Sequence, residues 1–414
     1  MRFLGPVLVG LWLVGQRLFM ALGCGNDMTT TLRRVAVPEG RSGSAGESRC
    51  WLAKGGVDSG HASACSIRVA VVGCQLSVRV HEFLAPLSEN GQTEPTEHSS
   101  PGARSTAPIA GPDDRPLPDS IARVEKVELN GSEQWIMVRG NDASNPVLLN
   151  LGMGGPGRGG FFNAVEFRPL EEHFTVVSWD EPGTGKSYGA LPFNELNKER
   201  YAADAVALTN VLRERFGQQK IFLYGVAWSS ILGIWLTHEH PDLYHAFVSS
   251  GQMVNTTEND RLGYELALWH VEDQGDARHA EELRRNGPPP YQGDNVVSPY
   301  VAFLDVLNEI MGTPRFSLIV PVSGLIESFN VVYPQLEGLD FKVQAPELLV
   351  PVYFFVGRHD VNAIASLVEE YYNSLSAPDK KLIWLEGGHG LGSADNQNAF
   401  IDEMITQVRP LSRR

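Results

Sequence analysis

Past residue 120 the chain alternates between two hydrophobic patterns. Short, almost continuously apolar runs recur: PVLLNLG, FTVVSWD, KIFLYG, AFVSSG, VPVYFFVG and KKLIWLEG. Strands without polar alternation are buried on both faces. Between them lie NKERYAADAVALTNVLRERFG, SSILGIWLTHEHP, NAIASLVEEYYNSLS and AFIDEMITQV, with apolar residues at helical spacing. Gly217 closes the first of these as a stop signal. The alternation predicts a mostly parallel central sheet with helices on both faces. In such a sheet, ligands bind beyond the carboxyl ends of the strands. Upstream, ARVEKVELNG and SEQWIMVRG read as two strands joined by Asn130-Gly131, a hairpin turn pair.

The alternation breaks over residues 252–349. There the chain turns mainly helical, with GYELALWHVEDQGDARHAEELRRNG, PPPY and SPYVAFLDVLNEIMG. This predicts an inserted helical cap, between a first core segment at 121–251 and a second at 350–414. Residues 25–120 are rich in Gly, Ser, Pro, Thr and charge. They read as a low-order spacer, because they bury too little apolar surface to offset ordering entropy. One island within it, SIRVAVVGCQLSVRVHEFLAPL, fits strands or a short helix. Residues 1–24 read as a leader. The apolar stretch from Phe3 to Gly15 is short for a membrane span of about 20 residues and suits a signal-peptide core. Ala21-Leu22-Gly23-Cys24 resembles a lipoprotein cleavage box, with Ala in the usual place of Leu. The leader implies export or membrane anchoring; a degenerate leader or a mis-assigned start leaves the protein cytoplasmic.

The formal charge of -15, from 49 acidic and 34 basic residues, disfavours nucleic acid as a partner. The four cysteines, Cys24, Cys50, Cys65 and Cys74, match no zinc spacing. Cys50, Cys65 and Cys74 read either as disulfide candidates or as ordinary thiols. No metal and no cofactor is implied. A peptide or small molecule is the expected ligand.

The chemistry-bearing motifs fall at the ends of the predicted strands. Leu151-Gly152-Met153-Gly154-Gly155-Pro156-Gly157 reads as a loop whose N–H groups approach an oxyanion, or as a plain glycine turn. Trp179 to Ser187, WDEPGTGKS, tempts as a phosphate loop. Pro182 occupies the place of the first glycine, so the spacing fails. Gly225-Val226-Ala227-Trp228-Ser229 has the small-x-nucleophile-x-small layout of a strand-to-helix elbow, with Ala227 at the reactive position. Asp360 ends the VPVYFFVGRHD stretch and His389 lies in GGHG. Asp360 alone reads equally as a helix N-cap, and His389 as a loop histidine. The order elbow, acid, histidine is that of an α/β-hydrolase triad.

Together these segments resemble the prolyl iminopeptidase group of α/β-hydrolases, serine aminopeptidases, from Val124 to Val408. The resemblance rests on NPVLLNLGMGGPG, HFTVVSWDEPGTGKSY, QQKIFLYGVAWSSILG, FVSSGQMVNTTEND, PPPY, VPVYFFVGRHD and GGH. It implies an α/β-hydrolase fold with an inserted cap, Asp360 as histidine-orienter, His389 as base, and the N–H groups of Gly155 and Trp228 as oxyanion donors. It implies a carboxylate site for a substrate ammonium, for which Glu258 and Asp260 are the candidates. Both also read as ordinary acids at a helix start. The chain departs from the family around that site: Met153 for His, Glu181-Pro182 for Gln-Arg, Val226 for His or Gln, Ala227 for the nucleophilic Ser, and Ser229 for Gly.

Two readings follow. In the first, the chain is an inactive or weakly active hydrolase relative that binds a peptide or small ligand under the cap. In the second, it is an active aminopeptidase or esterase that releases N-terminal residues such as proline. The second needs Ser229 or Ser230 as substitute nucleophile, or a water activated by His389.

Overall fold

The computed structural model describes residues 66–71, 74–79, 106–111, 113–153, 159–291, 293, 297–313 and 325–413. The chain divides into two compact units, Met1–Thr93 and Glu94–Arg414. In the first, β1 (Ser66–Val71) and β2 (Cys74–Arg79) form an antiparallel pair within the apolar island of the spacer segment. The leader, with Cys24, lies outside the described residues.

The second unit is built on an eight-stranded sheet of order β10-β9-β8-β7-β5-β6-β4-β3. It opens with β3 (Ile121–Leu129) and β4 (Ser132–Gly140), antiparallel, with Leu129 opposite Ser132. Asn130 (φ 47°) and Gly131 (φ 83°) both take positive φ, as a tight two-residue hairpin turn demands. The strands β5 (Val147–Met153), β6 (Thr175–Asp180), β7 (Ile221–Val226), β8 (Tyr244–Ser250), β9 (Val352–Gly357) and β10 (Lys380–Leu385) run parallel. Only β4 pairs antiparallel with this set, along β6.

The unbroken apolar runs are explained by two cores, one on each sheet face. On one face Leu149, Val177, Leu223 and Phe354 pack with helices α1 (Lys198–Phe216) and α2 (Trp228–Glu239). On the other, Leu148, Phe222, Val248 and Phe355 pack with Phe400 and Met404 near the C-terminus. α1 begins where Asn197 accepts the N–H of Arg200 and ends at Gly217 (φ 63°). A methyl on Gly233 of α2 would lie 2.1 Å from the Phe247 ring, so the missing side chain lets α2 press onto β8.

Between β8 and β9 lie α3 (Thr256–Asp273), α4 (Ala277–Asn286), α5 (Val297–Ile310), α6 (Leu325–Val332) and the single turn α7 (Phe341–Gln344). α3, α4 and α5 share an apolar cluster of their own, including Val271, Leu283 and Phe303. After β9 comes α8 (Ala365–Ser374), and after β10 comes α9 (Ala394–Glu403). No helix among the described residues is long and apolar enough to cross a membrane.

Candidate active site

The elbow forms where β7 passes into α2 with no intervening loop. A Cβ at Gly225 would lie 2.5 Å from the Ser229 carbonyl oxygen, so only glycine permits the turn. Ala227 sits at its apex with φ 50° and ψ -115°, a conformation that L-residues avoid. Two hydroxyls lock the turn from behind. Ser229 Oγ accepts the N–H of Val226 (2.8 Å) and donates to the Gly152 carbonyl (2.9 Å), tying the elbow to the end of β5. Ser230 Oγ donates to the Ala227 carbonyl (2.5 Å) and accepts the N–H of Met253 (3.0 Å). Both serines are buried, and their hydroxyls serve the backbone. Neither stands in for a nucleophile at the apex.

Asp360 follows β9 and is 3% exposed. Its Oδ1 accepts the N–H groups of Asn362 (3.0 Å) and Ala363 (2.8 Å), and its Oδ2 lies 2.9 Å from His389 Nδ1. It thus caps a local turn and orients the histidine at once. That turn consumes residues 360–363, so α8 begins at Ala365, after the VNAI stretch. His389 follows β10. A Cβ on Gly251 (φ 55°), at the end of β8, would lie 2.5 Å from His389 Cε1. Ala227 N–H donates to Ser250 O at 3.3 Å. Elbow and imidazole therefore both rest on the Ser250-Gly251 terminus of β8. Sequence reasoning overlooked Gly251; the signal was a glycine directly after a buried strand.

Trp228 is the first residue of α2, where no earlier turn can accept its N–H. This suits the oxyanion role. Gly155, the other expected donor, lies outside the described residues. Asp180, at the end of β6, accepts the N–H groups of Phe161 (3.1 Å) and Lys186 (2.8 Å). A Cβ at Gly159 or Gly185 would fall 2.0 or 2.2 Å from its carboxyl oxygens. Gly185 of GTGKS thus serves Asp180 rather than a phosphate, Gly183 makes room for Ser328 and Leu196, and the Lys186 ammonium sits 4.5 Å above the Trp135 ring. Burial pushes the Asp180 carboxyl up to about 6, against those hydrogen bonds.

The two expected ammonium-binding acids part company. Asp260 is 3% exposed; it accepts the Tyr333 hydroxyl, and burial raises it to about 7. Its neighbour Asn259 donates to Asn362 O (2.8 Å) and accepts the N–H of Ile364 (2.9 Å), fastening α3 to the Asp360 turn. Glu258 does not join Asp260. Residues two apart on a helix point about 200° apart. Glu258 instead faces solvent, in a two-pronged pair with Arg261 (2.6 and 2.8 Å). Among the described residues, no group of three or more His, Cys, Asp or Glu side chains is placed to hold a metal ion.

The chain is similar to several known proteins. The α/β-hydrolase fold profile matches residues 145–284. The chain is 26% identical to the probable aminopeptidase YbaC of Bacillus subtilis over 319 residues, covering 71% of this chain and 98% of that protein. The proline iminopeptidase-related protein of Thermus thermophilus superposes over 70% of this chain and 98% of its own, at 18% identity and a TM-score of 0.51. The Mycobacterium smegmatis proline iminopeptidase covers 70% of this chain and 99% of its own, at 17% identity and a TM-score of 0.48. With its sheet order, elbow and acid–histidine pair, the chain has the α/β-hydrolase fold.

Proposed function

We propose that this protein binds the amino-terminal end of a peptide, or a small molecule of that kind, between the elbow and the helical insertion, and that it lacks serine-hydrolase turnover. The observation that carries this is the apex of the elbow: a methyl group where the covalent chemistry needs an oxygen, beside an Asp360–His389 pair held at 2.9 Å. A methyl cannot attack a carbonyl. Removing the nucleophile from such a triad costs on the order of a million-fold in turnover. Oriented donors alone sustain roughly 10³–10⁴ over water. Asp260, buried at the base of the insertion, is the group assigned to the ligand ammonium.

Turnover through water is the second reading, and the assembled acid–histidine pair favours it. His389, oriented by Asp360, would take a proton from a water that attacks the carbonyl directly.

The test compares the protein with its Ala227→Ser variant on a chromogenic proline amide and with a fluorophosphonate probe. We expect the unaltered protein to neither label nor turn over, and the variant to do both. Strong labelling of the unaltered protein at any serine would overturn the reading. Proline release by the unaltered protein without labelling would favour the water route. The leader and Cys24 add a separate proposal, membrane attachment. Recovery of the mature protein in a soluble fraction with Met1 retained would exclude it.

A further inference from the structure

A cleft of about 690 Å³ opens at the amino ends of the sheet strands whose carboxyl ends build the candidate site. That volume lies in the range of small-molecule sites. Lys220 directly precedes β7, which ends at the elbow, and His245 lies at the start of β8, which ends at Ser250-Gly251. Pro146 and Pro351 directly precede β5 and β9. Ligands of such sheets usually sit beyond the carboxyl ends of the strands. This cleft is therefore separate from the elbow, by the length of a strand.

Its walls are fixed. Gln218 accepts the Val147 N–H (3.0 Å) and donates to Asn145 O (2.8 Å), joining the starts of β7 and β5. Arg409 donates to His173 O (2.8 Å) and Asn145 Oδ1 (3.3 Å), pinning the C-terminal segment that supplies Leu411 to the cleft. The His245 ring packs against Phe222, with 5.0 Å between centroids. Walls already in place lower the ordering cost of binding.

Its charge is unusual for this chain. The protein has 49 acidic residues, and acids line two other clefts: Glu199 and Glu239 in one, Asp276, Asp305 and Glu309 in another. No acid lines this one. Asp142, two residues before the lining Ser144, gives its carboxylate to the Ser144 N–H (2.8 Å). Lys220 Nζ donates a long bond to the Pro241 carbonyl (3.5 Å), and among the described residues no carboxylate is paired with it. Burial, together with the Lys220 charge, holds the His245 imidazole below its ordinary value. Lys220 is thus the standing cation of the lining.

We propose that this cleft binds a small monocarboxylate with an apolar body. One cation matches one anion, and Pro146, Pro351 and Leu411 offer the body an apolar wall. A phosphate monoester carries nearly two charges and would leave one unmatched. The site is independent of the ligand proposed at the elbow.

The experiment is calorimetric titration at low ionic strength with cyclohexanecarboxylate and cyclohexanecarboxamide, which share a shape and differ in charge. The carboxylate should bind about fivefold more tightly. Lys220→Arg keeps the charge and should keep the preference. Lys220→Met should reduce it to within about twofold, and Lys220→Gln repeats that test if Lys220→Met fails to fold. Excess proline benzylamide, a cation aimed at the elbow, should not displace the carboxylate. Equal binding of the two probes, binding of neither, or a preference that survives loss of the Lys220 charge overturns the inference. Displacement by proline benzylamide also overturns it, since the carboxylate would then share the elbow site.

Discussion

At the scale of single residues, Ala227 carries a conformational cost without the chemistry that would justify it. A non-glycine residue in such a region costs of order 1–3 kcal/mol. Gly225, Ser229 and Ser230 hold it there through a close backbone approach and paired hydroxyls. Glycine at this position would relieve the strain. It would give back roughly 0.4–1 kcal/mol through the greater freedom of the unfolded chain. Ala227→Gly should therefore stabilise the protein by about 1 kcal/mol, seen as a higher urea midpoint with an unchanged slope. A destabilised variant would mean that the alanine methyl makes packing contacts worth more than the strain it carries. Ala227 does pack on the core that includes Val226 and Tyr224, so the comparison has two real outcomes.

At the scale of elements, the site is a meeting of strand ends, and β8 is its hidden support. Gly251 must be bare for two separate reasons, its positive φ and the His389 ring 2.5 Å from where a Cβ would stand. Gly131, in the β3–β4 turn, shares the positive φ (83°) but has nothing within 4 Å. Gly131→Ala should cost about 1–2 kcal/mol from backbone strain alone. Gly251→Ala should cost a further 1–3 kcal/mol for the collision. Urea unfolding of the two variants side by side checks this; equal losses would show that the imidazole yields freely.

The elements themselves were legible in the sequence. Unalternated apolar runs identify strands covered on both sides, and Asn130-Gly131 identifies a turn, because each is a local constraint. The order of elbow, acid and histidine was legible for the same reason, since each follows its own strand. Tertiary partners were not. Which of Glu258 and Asp260 turns inward depends on Tyr333, 73 residues away. The true start of α8 depends on Asp360 taking two N–H groups before the helix can use them. Gly185 of the GTGKS loop has meaning only once Asp180 is seen against it, and Gly183 only once Ser328 is.

At the scale of the whole molecule, two buried acids give the fold an unusual dependence on pH. Asp260 is raised to about 7 and Asp180 to about 6, in both cases chiefly by burial. In the unfolded chain both return to ordinary values near 4. Between about pH 4 and 7 the folded protein therefore binds more protons than the unfolded chain. By linkage, the stability these groups contribute is fully present below pH 4 and is lost as pH rises through 6 and 7. One such proton gives a slope of at most about 1.4 kcal/mol per pH unit. Asp260→Asn keeps an acceptor for the Tyr333 hydroxyl but cannot ionise. Other titrating groups cancel when the variant and the unaltered protein are compared. From pH 5 to 8 the unaltered protein should lose about 1–3 kcal/mol more stability than Asp260→Asn, read from urea unfolding at each pH. Parallel curves would mean that Asp260 titrates normally and that its burial is relieved in solution. A ligand ammonium would shift the balance, since it favours the ionised acid. Its binding to the unaltered protein should then strengthen as pH rises from 6 to 8, with a proton released near neutrality. In Asp260→Asn that pH dependence should vanish along with the affinity the charge would supply.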